Sequence, residues 1–227
     1  MSKSAIVGFG MYVPKYRIKT SEMARHWEQD PSSLASSLGV LEKSVPGKDE
    51  DSFTLAFEAA RMAIDVARLT PTQISAIFVG SESHPYAVKP TSGMLASALG
   101  LDPFCHSADL EFACKAGTAG LQIVDSFVRS GQIQYGLAIG TDTAQGKPGD
   151  ALEYTAAAGA AAVILGSETA KNALCRIDAT LSFTTDTPDF WRAKDEAYPR
   201  HAGRFTGEPG YFHHVREALQ GLLDSTI

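Results

Sequence analysis

Cys114 and Glu82 are the two residues whose settings could do chemistry. Cys114 lies in Asp109-Leu110-Glu111-Phe112-Ala113-Cys114-Lys115-Ala116-Gly117-Thr118-Ala119-Gly120, where an extended stretch gives way to a helical pattern. A cysteine there meets the unpaired N–H groups and partial positive charge of a helix start. That setting favours the thiolate, the nucleophilic form. The small residues after it (Ala116, Gly117, Ala119, Gly120) permit close approach by a substrate or another backbone, and equally suit tight helix packing. On local pattern alone Cys114 is a nucleophile or a structural thiol. Glu82, in Gly80-Ser81-Glu82-Ser83-His84-Pro85, directly follows an apolar run. A carboxyl at the C-terminal end of a buried strand stands where open α/β sheets place ligands. A partly dry cleft would raise its pKa, as a general acid/base requires. The other reading is an ordinary loop glutamate.

Other residues offer less. Gly8-x-Gly10 follows a strand pattern, but Val13 stands where a dinucleotide fingerprint needs its third glycine and Pro14 follows, so a tight turn is expected. There is no Walker sequence and no Gly-x-Ser-x-Gly elbow. His213 and His214 are adjacent on a helical pattern and cannot form an i, i+4 metal pair. His26, His84, His106 and His201 fit surface or capping roles. Asn172, the one asparagine, sits in a polar turn, so a Cys-His-Asn site is not expected. Cys105 and Cys175 lack the setting of Cys114 and read as core thiols. The three cysteines are widely spaced and form no zinc or disulfide pattern, which fits reduced thiols and a cytoplasmic protein. No metal site is expected.

The elements that must position these residues alternate. A strand over residues 5–10 is followed by a short helix over 20–27 and, over 31–50, loop with at most one helical turn. Asp49, Glu50 and Asp51 then open a helix whose apolar face is Leu55, Ala59, Met62 and Val66 and which Arg68 closes. A continuous apolar run over 75–80 suits a strand covered on both faces. A helix over 90–99, an extended stretch over 105–113 and a helix over 115–129 come next, with Gly131 as C-cap. Strands at 135–140, 158–165 and 177–185 and a helix at 210–223 complete the pattern. Strands alternating with helices argue for an α/β layered sheet. The last strand and helix look like the start of a second copy of the unit, so an early end at Ile227 is expected.

Apolar residues make up 44% of the 227 and charged residues 20%, enough to bury a core without metal or disulfide staples. The net charge of -6 disfavours a nucleic-acid surface. The most apolar stretch, 156–165, is too short and too rich in Ala and Gly to span a membrane. Met1-Ser2-Lys3-Ser4-Ala5 runs into a strand pattern and leaves no room for a signal peptide.

Longer motifs join these points. They are Tyr12-Val13-Pro14-x-Tyr16-Arg17, Gly80-Ser81-Glu82-Ser83-His84-Pro85-Tyr86-Ala87-Val88-Lys89-Pro90-Thr91, Glu111-Phe112-Ala113-Cys114-Lys115-Ala116-Gly117-Thr118, Gly140-Thr141-Asp142-Thr143-Ala144-Gln145-Gly146, Phe183-Thr184-Thr185-Asp186-Thr187-Pro188-Asp189-Phe190-Trp191-Arg192 and Arg200-His201-Ala202-Gly203-Arg204-Phe205-Thr206-Gly207-Glu208. Together they resemble the 3-hydroxy-3-methylglutaryl-CoA synthase family, and its archaeal-type branch most closely, essentially end to end. The resemblance implies a thiolase-like α-β-α-β-α layered fold of two βαβαβαββ halves. Residues 1–166 would be the first half, complete with the nucleophilic cysteine. Residues 167–227 would be a linker and the opening strand and helix of the second.

The resemblance further implies that Cys114 accepts an acetyl group from acetyl-CoA and that Glu82 is the acid/base for its condensation with acetoacetyl-CoA. Backbone N–H groups near Cys114 would stabilise the oxyanion. Thr155 and Asp142 would line or support the acyl pocket. No cofactor is implied beyond these CoA thioester substrates. A homodimer is implied, with acetoacetyl-CoA thiolase and a small zinc-ribbon/OB-fold protein as partners and the mevalonate route to isoprenoids as setting. The family's catalytic histidine, in a Phe-His-x-Pro-like segment of the second half, has no counterpart, and His213 and His214 do not match it. Two other readings follow: a catalytically incomplete or partner-binding fragment, and a ketoacyl-acyl-carrier-protein synthase III-like enzyme. Ser81-Glu82-Ser83 and the placement of Asn172 speak against the latter.

Overall fold

A computed structural model describes residues 3–226 of the chain. The expectations about a signal peptide at Met1-Ser2 and an early end at Ile227 lie outside the described residues. Two compact units form. One runs through Ala144 and resumes over Tyr154–Ile177; the other takes Gln145–Glu153 and the chain from Asp178.

The first unit contains β1 (Ser4–Tyr12), β2 (Tyr16–Lys19), α1 (Thr20–His26), α2 (Pro31–Leu38), β3 (Glu42–Val45), α3 (Ser52–Ala67) and β4 (Ile74–Gly80). It continues with α4 (Thr91–Leu99), β5 (His106–Leu110), α5 (Ala116–Arg129), β6 (Tyr135–Thr143), β7 (Ala158–Ser167) and β8 (Cys175–Ile177). Six strands make one sheet in the order β5-β4-β6-β7-β1-β8. β4 pairs in parallel with β5 and β6; β7 runs antiparallel to β6 and β1, and β8 antiparallel to β1.

Side chains alternate across a strand, and here both faces are apolar. Ile77 and Val79 of β4 and Leu137 and Ile139 of β6 pack with α3. Ala76, Phe78 and Ala138 point the other way, onto Val124 and Val128 of α5. Each fully buried Leu or Ile stabilises the fold by about 1.5–3 kcal/mol. The sheet therefore lies between helices, the layered α/β arrangement expected from the pattern.

α3 starts at a reciprocal cap. Thr54 N–H donates to Asp51 Oδ1 and Asp51 N–H to Thr54 Oγ1, each at 2.8 Å. Its alanine face lies directly on β1. A Cβ on Gly8 would stand 2.4 Å from the Ala63 carbonyl oxygen, and one on Gly10 2.1 Å from that of Ala59. The expected turn at Gly8-x-Gly10 is thus corrected: β1 continues through Tyr12, and the glycines let helix backbone touch sheet backbone.

Other expectations also change. Residues 31–50 hold α2, longer than the single helical turn expected, and the unexpected strand β3. Asp30 accepts hydrogen bonds from Ser32 and Ser33 N–H at 3.2 Å, and Pro31 opens α2. β3 pairs antiparallel with β2. Of the strand expected over 177–185 only Ile177 is in a strand: it ends β8, paired with Ser4, and among the described residues 178–185 form none. Cys175, on that edge, is exposed rather than a core thiol. Cys105 is half-buried against the α3 cluster, where burial pushes its thiol pKa up. Asn172 donates to the Ala67 carbonyl at 2.8 Å, closing α3.

In the second unit β9 (Phe190–Trp191) pairs with β10 (Arg200–His201). A π-helical segment, Thr206–Phe212, contains Pro209 and leads into α6 (His213–Thr226), so the helix expected from Gly210 has two parts. The Phe183 ring packs edge-on against His213 and His214, and His214 Nε2 lies 2.9 Å from Thr185 Oγ1. These histidines serve packing. Among the described residues no helix is long and apolar enough to cross a membrane.

Candidate active site

Three parallel strands end at one edge of the sheet. Gly80, at the end of β4, stands opposite Leu110 of β5 and Gly140 of β6. The chain leaving β4 carries Ser81-Glu82-Ser83. That leaving β5 carries Glu111 to Cys114, and β6 runs on through Asp142. Segments far apart in sequence meet because parallel pairing puts their C-terminal ends together.

Cys114 is exposed, in a 3₁₀ turn (Ala113–Lys115) that feeds α5. Lys115 N–H donates to the Phe112 carbonyl at 2.9 Å, closing the turn. Ala113 holds φ at 40°, in the left-handed region. That costs an alanine about 1–2 kcal/mol, and the 3₁₀ turn then passes through Cys114 and Lys115 into α5 at Ala116. Lys115, at the helix N-cap, supplies no side-chain cap. Ala116 N–H donates to the Ala113 carbonyl, and the next N–H groups of the first turn carry the partial positive charge of a helix start.

The small residues after Cys114 serve both readings. A Cβ on Gly80 would stand 2.4 Å from Gly117 N, and one on Gly117 3.3 Å from Gly140 Cα. The first turn of α5 therefore rests directly on the ends of β4 and β6. The same absence of side chains opens a cavity of about 510 Å³, lined by Cys114, Gly117, Thr118, Leu121, Gly140 and Asp142 among others.

Glu82 borders this lining through its backbone and its carboxyl. Asp142 Oδ1 accepts from Glu82 N–H at 2.9 Å, Ser83 Oγ at 2.8 Å and Ser81 Oγ at 3.1 Å. Ser83 Oγ in turn accepts from Thr143 N–H at 2.9 Å. The Glu82 side chain is still reached by solvent. Desolvation nonetheless raises its carboxyl pKa above the ordinary value. The charges of Glu111 and Asp142 add to this, and the N–H groups of Ala113 and Phe112 pull it partly back. The carboxyl thus lies against the backbone that immediately precedes Cys114.

The structure brings together Cys114, Glu82 and Asp142. Thr155 is exposed and stands outside the lining, which takes in Ala157 and Gly159 instead. Sequence reasoning missed Ser81 and Ser83 as holders of the Glu82 loop. Their place on either side of Glu82 was the available signal.

A profile of the 3-oxoacyl-[acyl-carrier-protein (ACP)] synthase III family matches residues 108–182. A hydroxymethylglutaryl-CoA synthase of Methanocaldococcus jannaschii is 58% identical over 97% of this chain and 63% of its own length. One from Methanothermobacter thermautotrophicus is 57% identical over 98% of this chain and 64% of its own. The chain is homologous to the archaeal hydroxymethylglutaryl-CoA synthases. It spans just under two thirds of these relatives' length. Among solved structures, MvaS in complex with 3-hydroxy-3-methylglutaryl coenzyme A superposes with a TM-score of 0.88, at 24% identity, over 97% of this chain and 53% of that one. That likeness places the homologue in the thiolase-like fold.

Proposed function

We propose that this homologue condenses acetyl-CoA with acetoacetyl-CoA to give 3-hydroxy-3-methylglutaryl-CoA and CoA. The Cys114 thiolate attacks the acetyl carbonyl and CoA leaves as its thiolate, so an acetyl thioester forms on Sγ. N–H groups at the start of α5 stabilise the oxyanion on the way. Glu82 then removes a proton from the acetyl methyl group. The carbanion attacks the ketone carbon of acetoacetyl-CoA, the resulting alkoxide takes up a proton, and water cleaves the thioester from Sγ. Asp142 holds the Glu82 loop, and Thr155 is retained as a pocket residue through the resemblance alone.

The observation that carries this reading is the Glu82 carboxyl lying against Phe112 and Ala113 N–H, next to Cys114, with its pKa raised by desolvation. By the resemblance, a carboxylate in that place speaks against a synthase III-like reading. Division into a first half over 1–166 and an opened second half over 167–227 rests on the resemblance. So do the homodimer, the thiolase and zinc-ribbon/OB-fold partners, the cytoplasmic location and the absence of a cofactor beyond the CoA substrates.

The test adds acetyl-CoA and then acetoacetyl-CoA and follows product and free CoA. Wild type should release the condensed product, whereas Glu82→Gln should retain acetyl-Cys114 without condensing it. Acetyl-Cys114 that forms in wild type and never condenses would favour the second reading, a catalytically incomplete portion.

A further inference from the structure

His84 is a buried titratable group that the reaction above does not use. Its side chain is 8% exposed. Nδ1 lies 2.9 Å from Thr91 Oγ1 and 3.7 Å from Asp109 Oδ2. Nε2 is buried and has no hydrogen-bond partner among the described residues. An orphaned N–H costs more than an orphaned lone pair, so the proton belongs on Nδ1, facing the hydroxyl and the carboxylate.

Asp109 does more than face the imidazole. Its Oδ2 accepts from Thr91 N–H at 2.6 Å and its Oδ1 from Ser92 N–H at 2.7 Å, which caps the start of α4. Asp109 also belongs to β5, the strand that runs on into Glu111-Phe112-Ala113-Cys114. The segment between β4 and α4 is therefore gripped at both ends, by Asp142 over Ser81 to Ser83 and by Asp109 at Thr91 and Ser92. Between the grips its tip is exposed, and Val88 holds φ at 71°. His84, two residues after Glu82, is the buried side chain that ties the Glu82 end of this segment to the Asp109 end.

We propose that His84 is a positioning residue, acting through Nδ1 on Thr91 and Asp109 to hold the Glu82 loop in register with the strand that delivers Cys114. This rests on Glu82 being the acid/base. His84→Asn keeps a donor near the place of Nδ1, His84→Gln moves it toward the place of Nε2, and Thr91→Val removes the hydroxyl partner while keeping the shape.

The full chain is labelled with ¹³C at glutamate carboxyls, and Glu82 is assigned with Glu82→Gln. Wild type and His84→Asn should share one Glu82 titration midpoint, whereas His84→Gln and Thr91→Val should both lower it toward the ordinary glutamate value as the carboxyl leaves its place against Phe112 and Ala113. In parallel, His84→Gln should slow condensation about tenfold, as a misplaced acid/base does, with Cys114 acetylation unchanged and His84→Asn restoring most of the loss. A Glu82 midpoint that is the same in wild type, His84→Gln and Thr91→Val overturns the proposal, whatever the activities. If wild type forms no acetyl-Cys114, the assignment of function fails, and the titration still decides the role of His84.

Discussion

Asp142 Oδ1 accepts a hydrogen bond from the backbone N–H of Glu82 at 2.9 Å. The same oxygen takes the hydroxyls of Ser81 and Ser83, so a single atom at the end of β6 sets the path of the chain leaving β4. Losing it leaves several donors without their acceptor, at about 1–3 kcal/mol for such a group. Asp142→Ala should lose stability on that scale and slow condensation more than it slows acetylation of Cys114. Asp142→Asn, which keeps the acceptor atom, should retain most of the stability. Chemical denaturation and separate timing of the two steps check this.

The carboxyl of Glu82 titrates above its ordinary value because burial disfavours the charged form. It acts as a base only when ionised. Exchange of acetyl-methyl protons with solvent deuterium should therefore rise with pH through a midpoint above the ordinary glutamate value of about 4.3, and Glu82→Gln should abolish that rise. The stability effect has the matching sign. A raised folded-state pKa favours the fold when the group is protonated, and that advantage is lost as pH rises through the folded value. Glu82→Gln should thus gain stability over wild type as pH climbs through that window. The gain should be small, because solvent reaches the side chain. Thermal unfolding across that pH range measures it.

Gly80 has no room for a methyl group. Its Cβ would stand 2.4 Å from Gly117 N and 2.5 Å from the Ala116 carbonyl carbon, both backbone atoms that cannot swing aside. Gly80→Ala should cost about 1–3 kcal/mol, as overpacking does, and should displace the start of α5. Acetylation of Cys114 should slow even under conditions where the variant is fully folded. Unchanged acetylation in folded Gly80→Ala would remove the argument that this contact sets the nucleophile's place.

Much of this was legible in the residues. The continuous apolar run of β4 announced a strand covered on both faces, and the step from strand to helix at Cys114 announced the turn that carries it. Short elements were not legible. α2 is a serine-rich helix held by an Asp30 cap, and β3 has four residues, so neither carries a period long enough to read. Gly8 and Gly10 were misread because their purpose lies in α3, whose alanine face presses on them. The grip of Asp142 on Ser81, Glu82 and Ser83 depends on β4 and β6 being neighbours, which pairing decides and spacing does not show. Cys175 looked like a core thiol until strand order put it on an edge.

Intact mass of the chain after incubation with acetyl-CoA, with the modified peptide located by fragmentation, probes the nucleophile itself. One acetyl group on Cys114 is the expected result, absent from Cys114→Ala and persisting in Glu82→Gln. Acetylation on Cys105 or Cys175 instead, or an adduct that survives Cys114→Ala, would contradict the assignment of Cys114 as the acyl-accepting residue.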